Sequence, residues 1–302
     1  TSRGLGDVYK RQVLMFACFA DANSSFYAKI NMSLIDVDQS SKRETETISN
    51  ASRIGFKSKL QISNNLNFLV QIENAIDPTD GKADKNKVFK QRNTYIGLSG
   101  NFGRLFIGTH DTAFKRSQLK VDLFNDTQSD LKKLFIGENR MQDLVGYSSP
   151  EIIKGLKVTV NNIKTSKKSY QSYSFDYKNK KISTSLGIDT GTKDFESKRF
   201  TVLIPFQKTT IGLMYQTSEE DKIYRSLSGH VFSIKHQLSK KGTLMIQNAK
   251  SDMKIVNGKQ TTIGYSHDLN SILKIYTSLS RTNEELRSED KKILSIGFEV
   301  KF

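Results

Sequence analysis

Apolar and polar residues alternate one by one through successive segments of about ten residues, and this period constrains the fold more than any other feature of the chain. Near the start, the apolar parity contains Phe26, Ala28, Ile30, Met32 and Leu34. The other parity is polar and contains Tyr27, Lys29, Asn31 and Ser33. Similar alternation follows at 53–62 and 66–73. Successive side chains of a β-strand point to opposite faces, so the pattern predicts an all-β fold.

The end of the chain carries the clearest alternation. Its apolar positions are Leu294, Ile296, Phe298, Val300 and Phe302. The positions between them are Ser295, Gly297, Glu299 and Lys301. In a soluble sandwich the apolar face would cover a core, whereas in a transmembrane barrel it would face lipid. The alternation alone allows both architectures.

The spacing of the connections favours the barrel. Short polar turns are predicted at 63–65, 99–103, 148–154, 178–181, 207–209, 238–242 and 267–271. Longer polar stretches alternate with them at 36–51, 75–90, 111–139, 163–169, 189–198, 217–226, 249–260 and 280–291. Bacterial outer-membrane barrels place short turns at one end and long loops at the other. The chain is therefore predicted to form a transmembrane antiparallel β-barrel of about sixteen strands, with both termini at the periplasmic, short-turn end.

The composition agrees with a single barrel domain over residues 23–302. Hydrophobic residues make up 36% of the chain, and only three prolines interrupt it. A mean hydropathy of −0.50 is too polar for a helical membrane protein. No Pro/Gly/Ser-rich linker marks a domain boundary, and large barrels commonly reach this length as one domain.

Residues 1–22 are excluded from the domain. Residues 1–12 fit no periodic pattern and are interpreted as a vector or assembly remnant. Residues 13–22 form a short apolar run that ends in Ala20-Asp21-Ala22, which is typical of the end of a secretory signal peptide. The mature protein would begin near Asn23. Cys18 is the single cysteine, so the mature chain would contain neither a disulfide nor a cysteine metal site.

The formal net charge of +16 invites a nucleic-acid interpretation, because clustered Lys and Arg neutralise phosphates. The cations are instead scattered and alternate with apolar residues, and no nucleic-acid-binding motif is present. A diffuse positive field suits a pore interior or a surface that faces acidic lipopolysaccharide. We expect no nucleic-acid partner, and a soluble basic β-protein that binds nucleic acid is the distant alternative.

Several motifs, taken in order, resemble the Gram-negative general diffusion porin family. Residues 27–34 resemble its first strand, 52–57 its second, and 92–103 its fourth strand with the following turn. Residues 147–150, followed by Gly155-Leu156, resemble the turn after the sixth strand, and 297–302 resemble the terminal strand. Phe302 would be the assembly signal that the barrel-assembly machinery reads. The resemblance covers nearly the whole mature chain.

This resemblance implies a homotrimer of sixteen-stranded barrels, each narrowed by a third loop, at 111–139, that folds inward. The constriction-loop acids would be Asp122, Asp126, Asp130 and Glu138. A pore-lining basic wall on the lumen parity would face them and contain Lys29, Arg53, Lys57, Arg92, Arg104 and Arg140. The chain departs from the family at Thr109, where relatives often carry arginine. It also lacks the Pro-Glu-Phe-Gly-Gly-like stretch in the loop.

The chemistry of the remaining residues favours a channel over an enzyme. No serine–histidine pairing stands out, and the four histidines lack the spacing of a metal motif. We expect no catalytic residue, no metal and no cofactor. The predicted function is passive diffusion of small hydrophilic solutes and ions through the outer membrane. A weak anion preference is expected because lumen-parity cations exceed acids. A substrate-specific outer-membrane channel for phosphate, sugars or dicarboxylates is the alternative function. Outer-membrane lipid and lipopolysaccharide are expected partners.

Overall fold

The computed structural model describes residues 23–39, 42–82, 87–166, 168–220, 225–283 and 290–302. The predicted remnant and signal peptide at 1–22 lie outside the described residues. Within these ranges, no helix has both the length and the apolar character needed to cross a membrane.

The described residues form long strands and two short helical turns. The strands are β1 (Asn23–Gln39), β2 (Lys42–Ser49), β3 (Arg53–Ser63), β4 (Leu66–Ala75), β5 (Lys90–Gln91), β6 (Thr94–Gly100), β7 (Gly103–Asp111), β8 (Arg140–Ser148), β9 (Leu156–Lys164), β10 (Ser169–Lys178), β11 (Ser183–Thr192), β12 (Phe195–Phe206), β13 (Thr209–Glu220), β14 (Ser226–Gln237), β15 (Gly242–Ser251), β16 (Gly258–Asp268), β17 (Leu273–Asn283) and β18 (Lys291–Lys301). The helical turns are α1 (Ala113–Arg116) and a 3₁₀ turn (Leu131–Lys133).

These strands close into one antiparallel barrel. β1 pairs with β18 along one edge and with β2 and β3 along the other. β2 and β3 are therefore two segments of one barrel strand, separated by a break at Ala51, whose φ is +53°. β5 and β6 both pair with β4 and form another interrupted strand. With both pairs merged, the closed barrel has sixteen strands, and the predicted architecture is confirmed.

The C-terminal residue completes the closure. The Phe302 backbone N–H donates to the Ala28 carbonyl at 2.9 Å, and the Ala28 N–H donates back to the Phe302 carbonyl at 3.3 Å. Closure removes the unpaired sheet edge that a sixteen-stranded open sheet would present. The first strand and the last residue therefore meet near the short-turn end of the barrel.

The faces of the sheet follow the predicted parity. Apolar side chains point outward, and Phe298, for example, is 56% exposed. Hydroxyl side chains point inward, and Ser185, Thr201 and Thr262 are each 0% exposed. A soluble sandwich would bury the apolar face and expose the polar one. This inverted distribution rules out the sandwich and is that of a barrel whose outer surface meets lipid.

The connections confirm one part of the predicted pattern and correct another. The seven predicted short turns each coincide with a connection between two strands. At the opposite end, two of the eight predicted loops are mostly strand: β1 and β2 cover most of 36–51, and only residues 193–194 join β11 to β12. Beyond the apolar band both faces of a strand are polar, so the alternation that reveals the strand disappears. The long connections are 76–89 and 112–139.

The connection 112–139, the third loop, folds into the barrel as predicted. It packs on the inner face of β11–β16, and its apolar residues Val121, Leu131, Leu134 and Phe135 join wall residues Met214, Leu227, Val231 and Ala249 in a buried cluster. Inward-facing glycines make room for it. A Cβ at Gly264 would lie 2.6 Å from the Phe124 ring, and a Cβ at Gly229 would lie 2.6 Å from the Phe135 ring. Burial of each large apolar side chain contributes about 1.5–3 kcal/mol, so the loop is held firmly.

Candidate functional site: a charged constriction

The tip of the third loop places one carboxylate against the barrel wall. Asp126 adopts a left-handed backbone conformation with φ +68°, which aspartate tolerates better than most residues. Its N–H donates to the Asp130 carboxylate at 2.9 Å. This hydrogen bond fixes the turn, and the Asp126 side chain points across the lumen toward β1 and β3.

Asp126 meets two of the predicted wall cations. Its Oδ2 lies 3.0 Å from Lys29 Nζ and 3.2 Å from Arg53 Nη1. The structure therefore brings together one predicted loop acid and two predicted wall bases. We call Asp126, Lys29 and Arg53 the constriction cluster.

Two carboxylates of the wall itself extend the constriction cluster. Lys29 Nζ also lies 3.2 Å from Glu299, and Arg92 Nε lies 2.7 Å from Glu73, which also pairs with Arg53 at 3.4 Å. Glu73 and Glu299 were not among the predicted site residues. Their inward parity on otherwise alternating strands is the signal that could have found them.

A second charged group lies where the third loop leaves the wall. Asp111 lies 3.0 Å from Arg140 Nη2 and 3.0 Å from Lys115 Nζ. Asn93 Oδ1 accepts from Arg140 Nε at 2.9 Å. Predicted wall base Arg140 is thus paired with Asp111, which was not among the predicted acids.

Glu138 anchors the other end of the third loop instead of facing the open lumen. Its Oε1 lies 2.7 Å from Nη2 of Arg199, whose side chain is 0% exposed. The Arg199 guanidinium also donates to Gln216 Oε1 at 2.9 Å and lies 4.4 Å from the Phe114 ring centroid. Arg199 was not among the predicted site residues, although it lies on the inward parity of β12. A buried arginine with these partners ties the loop to the wall.

Asp122 and Asp130 lie within the packing of the loop. Asp122 accepts from the N–H groups of Phe124 and Leu131, each at 3.0 Å. Asp130 accepts from the Lys132 N–H at 2.7 Å, in addition to its bond with Asp126. Burial and the nearby Asp130 carboxylate raise the pKa of Asp122 well above its usual value. The structure therefore gives these two acids backbone partners, and neither contacts a predicted wall base.

Two predicted wall bases lie away from the constriction cluster. The Arg104 guanidinium lies 4.6 Å from the Tyr95 ring centroid and 4.7 Å from that of Phe106, just after the β6–β7 turn. Lys57 Nζ is exposed and lies 5.7 Å from the Tyr27 ring centroid. Both share the lumen parity, but they lie closer to the short-turn end than Arg53 does.

The electrostatics of the constriction cluster keep its acid charged. Burial alone would raise the pKa of Asp126, but the Lys29 ammonium and the Arg53 guanidinium outweigh it and lower the pKa to about 2. The loop carboxylate therefore stays ionised at neutral pH, and fixed charges of both signs meet a passing solute. Among the described residues, no three His, Cys, Asp or Glu side chains converge as a metal site would require.

Comparison with known proteins identifies a family and a fold. A family model described as Gram-negative porin matches residues 13–285. The major outer membrane protein P.IB of Neisseria sicca is 33% identical over 118 residues, which are 38% of this chain and 32% of that protein. The alignment thus spans about a third of the relative's length.

Solved structures resemble the barrel over nearly its whole length. An anion-selective porin from Comamonas acidovorans has a TM-score of 0.83 at 18% identity, over 93% of this chain and 100% of that one. A Salmonella typhi OmpF complex with daunomycin has a TM-score of 0.76 at 13% identity, over 92% and 97%. The trimer form of in-vitro folded Vibrio cholerae OmpT has a TM-score of 0.67 at 12% identity, over 93% and 99%. At these identities the likeness establishes the fold.

Proposed function

Because the chain belongs to the Gram-negative porin family and is an outer-membrane β-barrel, we propose that it forms a water-filled channel for passive diffusion of small hydrophilic solutes and ions. The observation that carries this proposal is the inward third loop, whose Asp126 meets Lys29 and Arg53 across the lumen. A polar solute exchanges part of its hydration for these fixed charges, whereas an apolar solute loses hydration without compensation.

A weak anion preference is part of the proposal. The ion pairs around the constriction contain four acids, Glu73, Asp111, Asp126 and Glu299, and seven cations, Lys29, Arg53, Arg92, Lys115, Arg140, Lys274 and Lys301. Cations therefore exceed acids, but the preference for anions is weak because every cation has an acid partner. The similarity to an anion-selective porin supports this direction.

Assembly partners follow from the family and the fold. We propose a homotrimer, since a porin of the same fold has been solved in trimer form. Phe302, which is exposed at the closure of the barrel, is proposed as the signal for the barrel-assembly machinery. The barrel would lie with both termini in the periplasm, in contact with outer-membrane lipid and lipopolysaccharide.

Single-channel recording tests the proposal. Detergent-extracted protein added to a planar bilayer in potassium chloride should produce discrete conductance steps grouped in threes. Protein that remains soluble without detergent and produces no steps would overturn the channel assignment. Steps that occur singly and never in threes would overturn the homotrimer.

A further inference from the structure

Three lysines line the half of the lumen between the constriction cluster and the short-turn end. Lys57 and Lys59 share the inward parity of Arg53 on β3, and Lys235 shares that of Ser233 on β14. All three lysines are exposed. At about 3.3 Å per residue, Lys57 lies roughly 13 Å and Lys59 roughly 20 Å from Arg53 along the strand. We call Lys57, Lys59 and Lys235 the inner lysines.

The inner lysines have no acid opposite them in the sheet. Their neighbours in register are all uncharged: Ser25 and Gln71 for Lys57, Asn23 and Leu69 for Lys59, and Thr210 and Met245 for Lys235. Two inward acids of this half, Asp176 and Asp268, lie instead opposite Lys157 and Lys274. Among the residues that the structure describes, no carboxylate forms an ion pair with an inner lysine. This half of the lumen therefore carries uncompensated positive charge.

The half of the lumen toward the long connections has a different balance of charge. Its inward strand positions hold more acids than cations among the described residues: Glu44, Glu46, Asp189 and Glu220, against Lys42 and Lys291. Connection residues add cations, because Lys133 lies near Glu46 and Lys291, and Lys254 lies near Lys132. Charges of both signs therefore nearly balance in this half.

The inner lysines are electrostatically separate from the constriction cluster. The Debye length is about 10 Å at an ionic strength of about 0.1 M, which is shorter than the roughly 13–20 Å between Arg53 and the two inner lysines of β3. The inner lysines therefore form a charged zone of their own near the short-turn mouth. Such a zone raises the local concentration of anions before they reach the constriction.

We propose that the inner lysines make the channel rectify. At equal voltages, it passes more current when anions are driven from the short-turn end toward the long connections than when they are driven the other way. With the first polarity, anions enriched by the inner lysines are carried into the constriction, so the lumen fills with charge carriers. With the opposite polarity, the constriction draws on the half whose charges nearly balance, which provides no such enrichment. The inference rests on the proposed channel function and adds a direction to its anion preference.

Current–voltage curves of single channels test the proposal, with full-length protein inserted from one side of a bilayer in symmetric potassium chloride. At about 0.1 M salt, the wild-type currents at equal voltages of opposite sign should differ about twofold. The combined changes Lys57→Gln, Lys59→Gln and Lys235→Gln should make the two currents equal. Replacing the same lysines by arginine should retain the difference. Replacing them by glutamate should invert its sign, because cations are then enriched at that end.

The chain offers a matched control on the outer face of the barrel. Lys198, Lys250 and Lys259 are also exposed lysines, and they lie on the outward parity of β12, β15 and β16. Changing these three to glutamine removes the same charge without reaching the lumen, so the wild-type difference should remain. A second measurement needs no substitution: about 1 M salt shortens the Debye length to about 3 Å and should make the wild-type currents equal.

Equal wild-type currents at about 0.1 M salt would overturn the proposal, as would a difference that persists in the glutamine variant or at about 1 M salt. Loss of the difference in the outer-face control would overturn it as well. Protein that forms no channel contradicts the proposed function, whereas conducting channels with equal currents contradict only the rectification. The two proposals can therefore fail separately.

Discussion

At the scale of single residues, Asp126 is the acid on which the constriction depends. It is the only one of the four predicted loop acids whose carboxylate contacts predicted wall bases among the described residues. The sequence could place all four acids on one loop, but it could not choose between them. The choice depends on the left-handed backbone at Asp126 and on its hydrogen bond to Asp130, which are products of the folded loop.

Replacing the constriction carboxylate should increase the anion preference. Asp126→Asn keeps the shape of the side chain but leaves Lys29 and Arg53 without this negative partner, so the anion-to-cation permeability ratio should rise about twofold. Asp80→Asn, at an exposed residue of the connection 76–89, is the control. Because the pKa of Asp126 is about 2, its charge is retained at neutral and mildly acidic pH. The selectivities of the wild-type and Asp126→Asn channels should therefore become alike only as the pH falls through about 2. Equal selectivity of these two channels at pH 7 would contradict this role.

Lys133 should make the selectivity depend on pH in the alkaline range. Burial and the ammonium groups of Lys291 and Lys132 lower the pKa of Lys133 to about 8. As the pH rises from 7 to 9, Lys133 therefore loses its proton, and the third loop carries one positive charge fewer. Reversal potentials should show a falling anion preference over this range. Lys133→Met should abolish the step, and Lys132→Gln, which removes one of the ammonium groups that lower the pKa of Lys133, should retain the step but move it to higher pH. An unchanged step in the Lys133→Met channel would refute the assignment.

At the scale of elements, the strands were predictable because period-two alternation is a local property of the sequence. The alternation predicted the strands, and the spacing of the connections predicted the barrel and all seven short turns. The alternation failed where strands extend past the apolar band. Residues 42–49 carry charged side chains on both faces and were therefore predicted as loop, yet they pair with β1. The anchoring of the third loop was not predictable, because it joins Glu138 to Arg199, which are 61 residues apart in the chain.

The anchor of the third loop can be tested by comparing two adjacent positions of β12. Arg199→Ala leaves Glu138 without its buried partner, and breaking a buried pair in this way costs about 3–5 kcal/mol. We expect a lower thermal unfolding temperature and greater open-channel current noise as the loop loosens. Lys198→Ala removes an exposed outward cation from the next residue and should change neither quantity. Equal noise in the two variants would show that Arg199 does not hold the loop.

At the scale of the whole molecule, β1 and β18 close the barrel, and Phe302 extends their pairing. Phe302 is 73% exposed and hydrogen-bonds through its backbone to Ala28. If its ring is the assembly signal, Phe302→Ala should lower the amount of heat-resistant barrel recovered from outer membranes by about tenfold, without changing the conductance of the protein that inserts. Phe206→Ala removes another exposed ring, 65% exposed near the β12–β13 turn, and is the control. Equal recovery of both variants would contradict the assembly role.

The most direct test of the channel account is the zero-current potential across a bilayer that separates two potassium chloride concentrations. A pore whose paired charges contain more cations than acids should give a small potential with the sign of anion preference, and Asp126→Asn should increase its magnitude. A potential with the sign of cation preference, unchanged by Asp126→Asn, would show that the constriction cluster does not govern permeation.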